Sequence, residues 1–451
     1  MIRNKCVTFE AVLDSVGLSR YQIGVIVPCA LVAMSDGFDT QSIGLVAPDI
    51  ASAWRVNPAS FGLVFGAGLF GALVGALLFG LCGDRFGRRP SLISAVSLFP
   101  IVTLVTPLTT SVDGLLVVRF LTGLGLGGAL PGVIALTSEF TPQRMRATVV
   151  SLMFCGFPLG AVVGGIMAAK LIPLFGWQSV FYLGGALPLL LIPLFALRIP
   201  ESARYLTINR DYARLRPILE RMGSRVRAED IAPEPAAIRS PATSLFTEGR
   251  ARGTLLLWAT LFLSLLVSYV LVNWVPVMAR QSGVSSVGAV LGVVVLNLGG
   301  IFGCLVMGRI TDRTRRPALV LGAGYTLGGI SVGAIGLTGA SVTSFLIVTF
   351  VGGFLALGAQ FSTVAFSANF YETALRSTGV GWAAAAGRIG AIVGPVIGGL
   401  LIGTGMTAPR LFVLTGLASF AAAAAAFALA RRPTTRLQEH SQRRAARESV
   451  D

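Results

Sequence analysis

Asp36 and Asp39 lie in SDGFDTQ, residues 35–41, between the apolar runs IGVIVPCALVAM and SIGLVAP. A carboxylate without a partner in such surroundings is costly. Their i,i+3 spacing places both on one helix face. Two carboxyl groups that close in a low-dielectric site cannot easily both ionise, so one is suited to hold a proton near neutral pH. The spacing does not say which. Gly37, between them, is read as loosening the helix. The competing reading is a carboxylate pair fixed permanently to Arg119 or Arg388. Of the 20 Asp and Glu residues, all but Asp36, Asp39 and Glu139 fall in expected loops, tails or helix ends. The one histidine, His440, sits in an Arg-rich tail. A proton carried through the apolar interior therefore falls to these carboxylates.

Two arginines stand inside apolar runs. Arg119 opens RFLTGLGLGG, where Gly123 and Gly127 follow at four-residue steps on one face and permit close helix approach. It either snorkels to an interface or faces a cavity, tuning a carboxylate or holding an anion. Arg388 lies among Gly and Ala in GWAAAAGRIGAIVGP. An isolated arginine there needs water or a carboxylate. It is the first candidate for holding a substrate carboxylate, with an ion pair to Asp36 or Asp39 as the alternative. Phe38, Trp382 and Asn273 are candidate ligand contacts. Phe154, Phe157, Tyr269, Trp274, Asn297 and Gln360 are further wall residues, for which ordinary packing competes.

GLCGDRFGRRP, residues 80–90, combines a glycine for helix approach with Asp84, Arg85, Arg88 and Arg89. The acid is suited to a helix N-terminus and the arginines to bidentate pairs or lipid phosphates. Such a cluster can latch in one conformation and part in another, or serve as a plain basic anchor. TDRTRRP, residues 311–317, repeats it with Asp312 and Arg313 but without the glycine. Glu139, just before FTPQRMR, is a candidate member of the same gate, with Arg144 or Arg146 as partner.

The elements that must position these residues are apolar segments long enough to cross a bilayer. Twelve are expected, at 22–47, 59–82, 91–110, 114–138, 147–172, 178–197, 254–277, 286–308, 318–338, 343–368, 378–403 and 409–430. The chain has 451 residues, 54% of them hydrophobic, a mean hydropathy of +0.78 and only 12% charged residues. Such a composition describes an all-α polytopic membrane protein. The expected organisation is an N-terminal six-helix half (1–197), a cytosolic linker (198–252) with a short helical run near Tyr205–Met222, a C-terminal six-helix half (253–430) and a cytosolic tail (431–451).

With the N-terminus inside, thirty Lys and Arg residues fall on the cytoplasmic side, four fall on the other side, and two lie within helices. That asymmetry sets both termini in the cytoplasm and accounts for the net charge of +16 without nucleic acid. Cys6, Cys29, Cys82, Cys155 and Cys304 have no paired spacing and read as small apolar packing residues. No nucleophile–base pair, metal cluster or phosphate loop is present in the sequence, so neither an enzyme nor a cofactor is expected.

The repeated loop, and GFPLGAVVGG (156–165) in the fifth segment against GAIVGPVIGG (390–399) in the eleventh, relate the halves as a parallel repeat, the organisation of major facilitator transporters. DGFD (36–39), the GDRFGRR loop, RFLTGLGLGGALP with LTSEFTP, PESARYL (200–206), NWVP (273–276) and RSTGVGWAAAAGRIGAIVGP together resemble the aromatic acid:proton symporters of the major facilitator superfamily. Among them the chain looks most similar to bacterial 4-hydroxybenzoate/protocatechuate permeases. The resemblance implies uptake of a benzoate-type anion with a proton across the bacterial inner membrane. It assigns Asp36 and Asp39 to transport, Asp84 and Asp312 to the inside loops, and Arg119, Glu139 and Arg388 to charged family positions. A proton-driven exporter of small aromatics, or a sensor without turnover, would share most of these motifs.

Overall fold

The structure, a computed structural model, describes residues 7–224, 226–232, 241–314, 316–372 and 375–431. His440, Cys6 and the tail beyond Arg431 lie outside them. Among the described residues, twelve spans are long and apolar enough to cross a membrane.

A short strand β1 (Val7–Thr8) leads into α1 (Phe9–Val16), and Ser19 then caps α2 (Arg20–Trp54) in a reciprocal box with Gln22. The next spans are α3 (Phe61–Phe86), α4 (Arg88–Val105) and α5 (Val112–Glu139). The fifth span is α6 (Gln143–Phe154) and α7 (Gly156–Phe175), joined through Cys155, and the sixth contains α8 (Gln178–Arg198). Short helices α9 (Ala203–Ile208) and α10 (Tyr212–Met222) follow, then strand β2 (Ile231–Ala232), which pairs in parallel with β1.

The second set comprises α11 (Ala251–Gln281), α12 (Ser286–Arg313) and α13 (Pro317–Ile335). The tenth span is α14 (Val342–Gly352), a π-helical turn over Gly353–Leu357, and α15 (Gly358–Phe370). The last two spans are α16 (Arg376–Gly403) and α17 (Ala408–Ala430).

The expected helical run near Tyr205–Met222 is present as α9 and α10. Helix α1 and the β1–β2 pair were not anticipated. Phe9, Val12 and Leu13 of α1 share a buried cluster with Leu215, Ile218, Leu219 and Met222 of α10, so a contact distant in sequence, not local pattern, orders the N-terminus.

The spans alternate in direction, so the arginine-rich connections share one face, the basic face, opposite a far face. Glycines set the helix spacing. Cβ atoms at Gly123 and Gly127 of α5 would meet the backbone at Gly68 and Ala72 of α3. The expected loosening at Gly37 is not observed: α2 runs unbroken from Arg20 to Trp54, and a Cβ at Gly37 would strike the Phe157 carbonyl of α7. Gly37 is a packing position, because α2 and α7 approach too closely there for any side chain.

Contacts between the two sets of six spans cluster toward the far face. Gly62 of α3 lies against Gly399 of α16, with 2.8 Å from a Cβ built on Gly62 to the Gly399 Cα. Phe65 meets Trp274 edge-on at 5.2 Å, and Ser286 donates to Asp49 at 3.4 Å. Toward the basic face, Gly80 of α3 and Gly308 of α12 have no atom within 4 Å of an added Cβ. The halves are therefore closed at the far face and parted at the basic face.

Candidate functional site

Asp39 is enclosed within the first half, 1% exposed. One oxygen accepts from Thr103 Oγ1 of α4 at 2.7 Å, and the other lies 3.5 Å from Arg119 Nη1 of α5. Arg119, 3% exposed, donates to Thr106 Oγ1 at 2.9 Å and stacks its guanidinium over Phe181 of α8, 4.8 Å from the ring centroid. Four helices are thus tied around one ion pair. The pair is incompletely satisfied: Asp39 Oδ2 and Arg119 Nε make no hydrogen bond. Of the alternatives for Arg119, the structure shows the one in which it faces a carboxylate. It does not snorkel, because residues of α2, α5 and α8 and Thr106 surround it.

Asp36 lies one turn closer to the basic face. It accepts from Thr40 Oγ1 of its own helix at 2.9 Å and, among the described residues, makes no ion pair within 4 Å. It lies within electrostatic range of Arg388 on α16, and Tyr269 of α11 lies within range of both. Arg388 is half-buried and, among the described residues, makes no hydrogen bond or ion pair. Its orientation follows from helix periodicity. Arg388, Ile392, Pro395 and Gly399 are spaced by four, three and four residues, and the last three meet Gly62 and Gly66 of α3. Arg388 continues that face toward the basic side, where the halves part.

Trp382 lies elsewhere on α16. It shares a stripe with Ile389 and Leu400, seven and eighteen residues on, and these three are 49%, 51% and 65% exposed. It stacks on Trp258 at 5.9 Å. The expected ligand contact Trp382 therefore lies on an exposed apolar stripe of α16, not on the face shared by Arg388, Ile392, Pro395 and Gly399. Phe38 is corrected as well: its ring fills the space beside Gly164 of α7 and Gly184 of α8, inside the first half. Asn273, 3% exposed, donates to the Tyr269 carbonyl at 2.8 Å and backs onto Gly44 of α2, within the closed far side. Trp274 is fully buried, donating to the Pro395 carbonyl at 3.1 Å. Asn297 and Gln41 exchange two hydrogen bonds across the halves, at 2.8 and 3.1 Å.

At the basic face, Asp84, Arg85, Asp312 and Arg313 are exposed and, among the described residues, form no ion pair or hydrogen bond. Arg85 lies over the Phe86 ring at 5.3 Å. Glu139 pairs with Arg88 and accepts from Ser202 Oγ at 2.6 Å. Among the described residues the ion pair of Glu139 is with Arg88, where Arg144 or Arg146 was expected. The chain turns at Thr141–Pro142, and Arg146 is directed to Glu10 of α1 at 2.8 Å, whereas Arg88 begins α4 beside the end of α5.

The sequence reading gave no role to Glu201. Its carboxylate accepts from the backbone N–H groups of Arg88 at 2.8 Å, Arg89 at 3.0 Å and Ser202 at 2.9 Å, capping α4. Arg89 also donates to the Ala196 carbonyl at 2.8 Å. Gly87, with φ of 104°, passes so close to Glu201 that an added Cβ would sit 2.7 Å from its Oε2. The available signal was an acid directly after the sixth span in PES, matched to a glycine beside a basic helix start. Thr103 and Thr106 left no signal, because threonines in helices ordinarily bond their own backbone.

A family model for the Major Facilitator Superfamily matches residues 29–364 and 305–450. The chain is 39% identical over 427 residues to a 4-hydroxybenzoate transporter of Pseudomonas aeruginosa, covering 93% of this chain and 94% of that one. It is 38% identical over 420 residues to a gallate transporter of Pseudomonas putida, covering 92% and 93%. Its fold resembles a solved bacterial homologue of the human lysosomal transporter Spinster, with a TM-score of 0.70 at 19% identity, covering 92% and 98%. A twelve-span chain of two packed halves, matched by this family model over most of its length and by relatives at this identity, belongs to the Major Facilitator Superfamily of membrane transporters and is not an enzyme.

Proposed function

We propose that the protein imports a small aromatic carboxylate of the 4-hydroxybenzoate, protocatechuate or benzoate type together with a proton, by alternating access across the bacterial inner membrane. Both termini stand in the cytoplasm, on the basic face, by the thirty-to-four distribution of Lys and Arg. The observation that carries the reading is Arg388, a cation at membrane depth without an ion-pair partner among the described residues, on the helix face that leads into the opening between the halves. Such a group is a functional site unless something neutralises it. The printed names of the relatives supply the class of anion.

The two aspartates divide the work. Asp39 is held with Arg119 inside one half and keeps that half rigid. Asp36 faces the other half and is the proton carrier. With Asp36 ionised, it and Arg388 attract one another. Protonation releases Arg388 to the substrate carboxylate, so the loaded site carries no net charge while the halves rock and desolvation is least costly. Tyr269, beside both, offers a hydroxyl to either carboxylate. The parted basic face, with Asp84 and Asp312 exposed, is the release state. In the opposite state the two arginine-rich loops approach and these acids find basic partners.

Uptake of labelled 4-hydroxybenzoate into proteoliposomes under an imposed inward proton gradient tests this. Wild type accumulates the acid. Asp36→Asn abolishes gradient-driven accumulation but retains exchange of internal for external substrate. Accumulation by Asp36→Asn equal to wild type rejects Asp36 as the carrier. Accumulation that runs outward under the reverse gradient, with none inward, makes the protein an exporter.

A further inference from the structure

A pair of amides joins the two halves at membrane depth. Gln41 of α2 and Asn297 of α12 are each 3% exposed, at membrane depth, and each donates to the other's carbonyl. Asn297 Nδ2 also donates to the Val293 carbonyl at 2.9 Å, which commits its second hydrogen. This is the one side-chain amide pair bridging the two halves among the described residues. On the alternating-access reading above, opening of the far face separates α2 from α12 and breaks the pair. Both amides then lose their partners in an apolar environment, which is unfavourable unless another polar group replaces them.

The position of the pair limits what that group is. Gln41 lies five residues beyond Asp36, about 7.5 Å farther along α2 toward the far face. A benzoate whose carboxylate is held at Arg388, near Asp36, and whose ring points to the far face brings its opposite edge to this level. A ring hydroxyl both donates and accepts, so one hydroxyl satisfies a carbonyl and an NH2 together. An unsubstituted ring satisfies neither.

We propose that Gln41 and Asn297 read a hydroxyl on the ring of the transported acid, and exchange it for one another as the far face closes. The inference rests on the aromatic acid reading above. It makes affinity for a hydroxylated acid high where the substrate is loaded. Affinity is low in the release state, where the amides are already paired.

The test is a competition assay in proteoliposomes. The half-inhibitory concentrations of benzoate and 4-hydroxybenzoate are measured on one preparation and expressed as a ratio. A change in folding or expression moves both alike, and loss of hydroxyl recognition moves the ratio. Wild type prefers 4-hydroxybenzoate. Gln41→Met and Asn297→Leu, close to isosteric, each reduce the preference roughly three- to tenfold, as expected for a lost neutral hydrogen bond. The double variant loses little more, because both amides serve one hydroxyl. Gln41→Asn keeps the amide but withdraws it by a methylene, and serves where the apolar variants do not fold; it reduces the preference at least twofold. A ratio unchanged within twofold in the variants overturns the proposal. So does a wild type that transports both acids without preference, which leaves the proposed function standing. A wild type that transports neither acid removes that function, and the inference with it.

Discussion

Neutralising Arg119 is the most direct probe of how the first half is held together. Arg119→Gln removes the charge 3.5 Å from an Asp39 that is 1% exposed. At that separation and an effective dielectric constant near 20, the lost attraction is about 5 kcal/mol. Asp39 keeps only the Thr103 hydroxyl, since its other oxygen has no hydrogen bond even in the intact pair. Breaking a buried pair from one side typically costs about 3–5 kcal/mol, because the remaining charge is left uncompensated. The stacking of the guanidinium on Phe181 adds about 0.5–2 kcal/mol to the loss. Asp39→Asn leaves the opposite orphan, a buried guanidinium still bonded to Thr106.

Combining the two substitutions removes both charges, and an Asn–Gln pair remains. The assay is thermal unfolding of the purified protein in one detergent at a fixed scan rate, for wild type, both single variants and the double. Each single variant should lose several degrees, and the double should recover more than half of the larger loss, a coupling of about 2–4 kcal/mol. Losses that add, with the double variant worse than either single, would refute the reasoning. In that case the 3.5 Å contact would be incidental and Asp39 would be free for another role.

Other outcomes follow from particular contacts. Glu201→Gln removes the charge that caps α4 and should lower stability by about 1–2 kcal/mol, read as a lower unfolding temperature and faster tryptic cleavage in the 198–252 segment. Gly37→Ala places a methyl group against the Phe157 carbonyl and should sharply reduce the yield of monodisperse protein, whereas Gly80→Ala, with open space around it, should not. Trp382→Leu should change apparent substrate affinity less than twofold, because the ring lies on the exposed stripe with Ile389 and Leu400; a tenfold loss would put Trp382 back in the site.

The candidate site was only partly legible in the sequence. Charges at membrane depth announce themselves against an apolar background, so Asp36, Asp39, Arg119 and Arg388 stood out. Their pairing did not. Two acids on one turn and two arginines allow several combinations, and the choice depends on which helices are neighbours. The approach of α5 and α4 to α2 gives Asp39 to Arg119, and the rotation of α16 about its axis puts Arg388 on the face that meets α3. Aromatic and amide residues were poorly legible, because Phe38, Trp274 and Trp382 have the same composition whether they line a cavity, fill a core or face lipid. The Glu201 cap and the β1–β2 pair join residues more than a hundred positions apart and left no local periodicity to read.

The sequence by itself determined the twelve spans, their alternation, the repeated loops and the membrane class, because crossing a bilayer imposes a length and an apolarity that no partner can supply. Tertiary structure alone decided which carboxylate is paired with Arg119 and which lies within electrostatic range of Arg388. It also decided which arginine is neutralised, and which face of α16 meets α3. These depend on helix rotation and neighbour identity. Both are set by how glycines at Gly37, Gly62, Gly123 and Gly399 let backbones meet, a property of paired surfaces, not of any one segment.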